Sequence, residues 1–261
     1  MCTAFVRVDP DSAWPIRVAF VRDEDRARPT AASGRWWPDQ PHVIGGRDER
    51  AGGTWLAMSD DPAAPAIAFL LNRHEPNLDE TPPPNSRSRG ELPLRALADE
   101  GFDHAHLDLD RYAPFHLVHA TMHVAHVWHW DGAELQEEAL PAGTHMIASR
   151  GITLPGEADR RVAQLARCAA AIPPDPAPSP TSGDDEDTRS AWGPWLDLLD
   201  GRAAVVDDLS SVVVAGITQY PRFGTVGASL VALANTGQVR YDINVTNNVD
   251  CTAWSRVDLS T

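Results

Sequence analysis

The chain has 261 residues and a mass of 28.4 kDa, and 43% of its residues are hydrophobic, enough to bury a core in one large domain or two small ones. Its 37 acidic against 22 basic residues leave a formal charge of −15, a field that repels phosphate backbones and anionic lipid, so nucleic acid is excluded as the main partner and anionic membrane surfaces are disfavoured. None of the basic residues is a lysine, which removes Schiff-base and phosphate-loop lysine chemistry and is what a GC-rich, bacterial type of coding sequence produces.

Thr3 to Val8 and Ile16 to Val21 alternate as strands, split by the turn residues Asp9-Pro10-Asp11-Ser12, and predict a hairpin. That hairpin places Cys2 at a strand end beside residues 20–24. Residues 25–52 hold Pro29, Trp36, Trp37, Pro38, Pro41 and several glycines and read as an ordered loop. A second strand pair follows, Gly53 to Met58 and Ala66 to Asn72, broken by Ser59-Asp60-Asp61-Pro62. After Ser88-Arg89-Gly90-Glu91, the spacing of Leu92, Leu94, Leu97 and Ala98 predicts a helix closed by Gly101, with Pro93 tolerated in its first turn. Strands are expected at 115–119, 124–130 and, past the Asp131-Gly132 turn, 134–140. Val162, Leu165, Ala166 and Ala169 predict a helix from Glu157 to Ala171. Residues 173–190, with five prolines and the acidic run Asp184 to Asp187, read as a mobile surface loop. A short helix near 193–199 and strands near 211–218, 227–234 and 238–245 complete the chain. Strands at both ends with helices between them predict an α+β layered sandwich forming a single domain over 1–261.

The N-terminus lacks the layout of a signal peptide, and no apolar run approaches the roughly 20 residues that span a bilayer, so a cytoplasmic protein is expected. Cys2, Cys168 and Cys251 are far apart, without the spacing of a zinc site or a disulfide framework. Cys2 stands where removal of Met1 would join a thiol to a free α-amine. That amine titrates at about 7.7–8.0 and a cysteine at about 8.5, so one residue would hold both nucleophile and proton acceptor. Alternatively, Cys2 is the first buried residue of a strand.

Eight of the ten histidines lie between residues 104 and 145. Read as a strand, 124–130 projects His126 with Trp128 and Trp130 on one side and His129 on the other. An imidazole among aromatics can bind haem iron axially or stack on a porphyrin; the other reading is partly exposed strand histidines with no ligand. Nothing has the spacing of His-Glu-x-x-His, so no zinc or other resident metal is expected.

Met1-Cys2, Arg22-Asp23-Glu24, Arg28-Pro29-Thr30, Gly46-Arg47-Asp48, Ala51-Gly52-Gly53-Thr54-Trp55-Leu56, Asn72 and Ser88-Arg89-Gly90-Glu91-Leu92, in that order, resemble the NRDE family, also called the transport and Golgi organisation protein 2 family. The likeness continues more loosely through Pro141-Ala142-Gly143-Thr144 and Phe223-Gly224-Thr225. It implies a four-layer αββα sandwich of the N-terminal nucleophile hydrolase type with Cys2 in the nucleophile position. In that frame Arg22 would lower the thiol pKa, Asp23 would hold or orient the α-ammonium, and the Asn72 amide would face a developing oxyanion. Alternatively, Arg22 and Asp23 pair with Arg47, Asp48 or Arg89 to fix loops. Thr54, Trp55 and Arg89 join His126 and Trp128 as candidate ligand-binding residues, although Gly52 to Trp55 also reads as a tight strand start with Trp55 supplying buried area.

The chain departs from the family pattern at Val21, in place of the first asparagine of the eponymous motif, at Arg150 and at Val226. Related cysteine amidohydrolases use an asparagine and an arginine from the two later regions, and losing one oxyanion donor costs about 2.7–4 kcal/mol. The resemblance therefore implies haem handling inside the cell, with haem or an acyl molecule as ligand and haem-acceptor proteins as partners. An amidohydrolase acting on a small linear amide and a catalytically degenerate binding protein are the alternatives.

Overall fold

A computed structural model describes residues 2–74, 83–98, 102–152, 188–199, 212–213, 218–245 and 254–259. The expected helix at 157–171 and the expected loop from 173 to 187 lie outside them. The chain divides into two compact units, Met1–Ala27, Ala142–Ala148 and Ile152–Val257 in the first, Arg28–Pro141, Ser149–Gly151 and Asp258–Thr261 in the second. Among the described residues the strands form two seven-stranded sheets with few helices, a mixed architecture of the α+β class.

In the first sheet, β1 (Thr3–Val8) and β2 (Ile16–Asp25) form the expected hairpin, with Thr3 opposite Val21. β2 continues beyond Val21 because β12 (Phe223–Leu233) pairs along its whole length, from Asp25↔Phe223 to Ile16↔Leu233. β13 (Val239–Val245) and the short β14 (Ser255–Arg256) follow on that side, and β10 (Gly143–Ala148) and β11 (Gly151–Ile152) flank β1 on the other. Phe5, Ala19 and Leu230 stand in one cross-strand row and pack with Trp14, Trp192, Trp195 and Leu196. Each such large apolar side chain contributes about 1.5–3 kcal/mol by leaving water.

The helical residues of that cluster belong to α2 (Thr188–Trp192) and α3 (Pro194–Leu198), separated by Gly193 at φ +49°. The helix expected near 193–199 is α3, while α2 is an additional helix whose residues 188–190 were expected in a loop. The cause is tertiary, since the Thr188 hydroxyl and the Trp192 indole both donate to Asp242 on β13. Of the strand expected over 211–218, Val212 and Val213 form a bend and Thr218 begins a turn, and the other residues lie outside the described ones.

The second sheet is a meander whose spatial order follows the chain: β3 (Thr30–Gly34), β4 (Val43–Asp48), β5 (Leu56–Ser59), β6 (Ala66–Asn72), β7 (Phe115–Thr121), β8 (Ala125–Trp130) and β9 (Leu135–Ala139). β3 and β4 replace the loop expected over 25–52. Gly45 and Gly46 weaken the strand signal of β4. The Trp55 ring supplies the packing they lack, lying where a Cβ on Gly46 would come within 2.3 Å of Cζ2. A 3-10 turn at Arg89–Glu91, capped by the Ser88 hydroxyl, leads into α1 (Leu92–Ala96), which ends before the expected stop at Gly101. α1 packs on β5, β6 and β7 within a cluster holding Leu70, Phe102, Phe115, Leu117, Trp128 and Trp130. Among the described residues no helix is long and apolar enough to cross a membrane.

Candidate functional site

Pairing of Thr3 with Val21 brings Cys2 beside the C-terminal half of β2. Its thiol lies 4.0 Å from the Asp23 carbonyl oxygen. The Asp23 carboxylate is buried and accepts a 2.6 Å hydrogen bond from the Thr225 hydroxyl on β12. A bulge between Thr225 and Gly227 takes Val226 out of the ladder at this point. Arg22 is buried next to Glu24, at 3.9 Å.

Burial is the largest influence on Cys2 and pushes its thiol up. The N-terminal ammonium opposes it, the Asp23 charge pushes further up, and the Asp23 backbone and, least of all, Arg22 pull down, leaving a net rise. Arg22 thus acts in the expected direction and is outweighed. Val21 sits fully in the apolar cluster with Phe5 and Ala228, so packing accounts for an apolar residue at this position.

The remaining candidates lie in the second unit. Asn72 is exposed at the end of β6, opposite Phe115. Thr54 is buried and folds back on its own strand, its hydroxyl donating to Leu56 O at 2.7 Å. Thr54 N donates to Gly90 O at 2.8 Å, and a Cβ on Gly53 would lie 2.4 Å from Gly90 C, so the Gly52–Trp55 and Ser88–Glu91 motifs meet backbone to backbone. Arg89 donates to Pro114 O at 2.7 Å, and Asp48 holds Arg28 at 2.5 Å. These contacts tie loops together.

The histidine-bearing strands bring four imidazoles together in the second unit. In the β7–β8 register His116 faces His129 and His119 faces His126. Because side chains alternate, the two pairs occupy opposite faces. Trp128 and Trp130 are buried on the His126 face, as the sequence pattern predicts. His126 lies 5.7 Å from the Trp128 ring at 22°, and its Nδ1 is 2.7 Å from Glu137 Oε1. Its side chain is 31% exposed. Burial, and secondarily the charge of His126, lowers His119 to about 4. On the other face, burial first and His129 second lower His116 to about 3. Among the described residues no three His, Cys, Asp or Glu side chains are grouped to hold a metal ion.

Thr225, Glu137 and Glu138 are site residues that sequence reasoning passed over. Thr225 stood inside a quoted motif, yet its link to Asp23 spans 202 residues. The glutamates stood on a predicted strand next to the histidines, without a spacing that marks them as partners.

The model of the family described as Transport and Golgi organisation 2 matches residues 1–171 of the chain. No curated protein matches it.

Proposed function

Because the chain belongs to the Transport and Golgi organisation 2 (NRDE) family, we propose that it binds haem, or a hydrophobic or acyl ligand of similar size, and carries it in the cytoplasm. The observation that carries this reading is His126. Glu137 accepts from its Nδ1–H, which leaves the Nε2 lone pair as the ligand nitrogen and makes the ring a better donor. The adjacent Trp128 offers an apolar ring on the same strand face, and an imidazole of this kind is a common axial partner of haem iron. Titration of the full-length protein with haem is expected to give a saturable Soret shift, weakened at least about tenfold in His126→Ala and retained in Cys2→Ala. Non-saturating, featureless spectra, or a His126→Ala protein that binds like wild type, count against it.

A second reading is favoured by one separate observation, the convergence of Cys2, Asp23 and Thr225. An N-terminal cysteine amidohydrolase needs a free Cys2 amine as base, with Asp23 fixed by Thr225 to orient it. Intact-mass spectra of protein incubated with a small linear amide are expected to show loss of Met1 and an acyl adduct on Cys2. Retained Met1 sinks that reading. Either reading goes with the four-layer αββα architecture. Each half of such a sandwich needs an antiparallel sheet with helices on one face, and each unit supplies one, with α1 on β5–β7 and with α2 and α3 against residues of β1, β2 and β12.

A further inference from the structure

On the face of β7–β8 away from His126 runs an unbroken polar chain. His116 Nε2 lies 3.1 Å from Ser149 O, His116 Nδ1 lies 2.6 Å from His129 Nδ1, and His129 Nε2 lies 2.7 Å from Glu138 Oε1. Its two ends, a carbonyl and a carboxylate, only accept. Three hydrogen bonds need three protons, and two neutral imidazoles bring two. The chain therefore holds one proton more than its neutral rings supply, compensated by the Glu138 charge. His116 is 1% exposed, whereas the Glu138 side chain is 53% exposed. The compensating Glu138 carboxylate thus lies at the exposed end of the chain, next to His129.

The chain also spans three pieces of backbone. Glu138 belongs to β9, which is the last strand of its sheet among the described residues. Ser149 O receives the His74 N–H at 2.8 Å besides His116. Gly151, at φ +94°, passes so close that a Cβ would lie 3.4 Å from His116 Cε1 and 3.5 Å from His129 Cε1. Only glycine takes that backbone conformation at no steric cost.

We propose that His116 and His129 share one extra proton and act as a pH-sensitive latch, holding β9 and the Ser149–Gly151 segment to β7 and β8. The charged groups that bear on it are Glu138 from β9, which stabilises the shared proton, and Arg73 after β6, whose charge opposes protonation of His116. Gln136, opposite His129, is neutral, and the 149–151 segment brings the Ser149 carbonyl and contains Arg150. When pH rises far enough the proton leaves to water, two protons remain for three bonds, and one bond must open. Glu137, next to Glu138 on β9, is the partner of His126 on the opposite face. The seating of β9 consequently regulates the ligand-binding imidazole. That last consequence rests on the function proposed above, and the latch itself does not.

Long-range 1H–15N NMR of the imidazoles, recorded against pH on the full chain, tests this directly. Three N–H protons across the four ring nitrogens are expected, with one shared between the two Nδ1 atoms. That proton should be lost in a single step on raising pH, with the amide shifts of Gln136–Ala139 following it. Glu138→Gln, at an exposed position, should move the step to lower pH, because it removes the negative charge that favours the extra proton. One proton on each ring throughout, amides that do not follow, or an unmoved step in Glu138→Gln each overturn the latch. In a parallel titration, haem affinity that weakens as the step is crossed supports latch and regulation together. An NMR step without haem binding keeps the latch and removes the haem reading.

Discussion

Replacing Asp242 with alanine is expected to lower the unfolding free energy of the first unit by about 3–5 kcal/mol, the cost of breaking a buried ion pair from one side. Asp242 is 0% and Arg240 2% exposed, and the carboxylate accepts from Arg240 Nε at 2.7 Å and Nη2 at 3.2 Å. It also accepts from Thr188 Oγ1 and Trp192 Nε1, each at 2.8 Å. One side chain thus satisfies donors from β13 and from α2. Alanine would strip this acceptor from all of them at once and remove the carboxylate that faces a buried guanidinium, where lost polar partners are most expensive. Against a typical total of about 5–15 kcal/mol, that is a large fraction. Asp242→Asn keeps one oxygen acceptor and should cost less. The double replacement Asp242→Leu with Arg240→Met should recover much of the loss, since an apolar pair avoids desolvating either charge. Urea unfolding of the three proteins measures the series; a change under about 1 kcal/mol in Asp242→Ala would show that the pair does not hold α2 to the sheet.

Acidification from pH 7.5 to 5 is expected to cost about 4 kcal/mol of stability through two histidines alone, about 2 kcal/mol each. His116 is lowered to about 3 and His119 to about 4 from an ordinary 6.5, burial being the first cause in both. A depressed histidine value means that the unfolded chain takes up a proton as pH falls through 6.5 while the folded chain refuses it. The contribution is therefore present above 6.5, declines by about 1.36 kcal/mol per unit per group below it, and levels off near the folded values. The chosen window lies above the carboxylate range, where Asp48, Asp103 and Asp131, all lowered, begin to lose their own contributions. His119→Gln should remove about half of the slope without touching the His116 chain. Denaturant midpoints at pH 7.5, 6 and 5 for wild type and variant provide the check, and a flat profile in wild type would contradict it. The shared proton near His129 and the refusal of a second one by His116 have one origin, since two positive imidazoles 4.8 Å apart repel in a desolvated site.

The first hairpin, β6, the β7–β8–β9 meander and β12–β13 were legible because each is a short run of strand-forming residues bounded by turn residues, whether buried on both faces like β1 and β6 or exposed like β9. β3 and β4 stayed hidden behind prolines, tryptophans and Gly45-Gly46, whose strand conformation depends on neighbours such as Trp55. β10 and β11 were missed because Gly143, Thr144 and Gly151 carry little strand signal, and pairing with β1 holds β10 in place. Of the candidate site, the placement of Cys2 beside Arg22 and Asp23 follows from a hairpin only 21 residues across, and the shared face of His126 and Trp128 from strand alternation.

Composition, charge, the order of most strands and membership in a family are properties of residues near one another in the chain, and they can be read without a structure. Protonation states and polar partners are not, because they depend on which groups folding brings within about 3 Å and removes from water. Thr225 reaches Asp23 across 202 residues and Thr188 reaches Asp242 across 54. Ser149 closes on His116 across 33, and burial at Cys2 outweighs the arginine that was expected to activate its thiol.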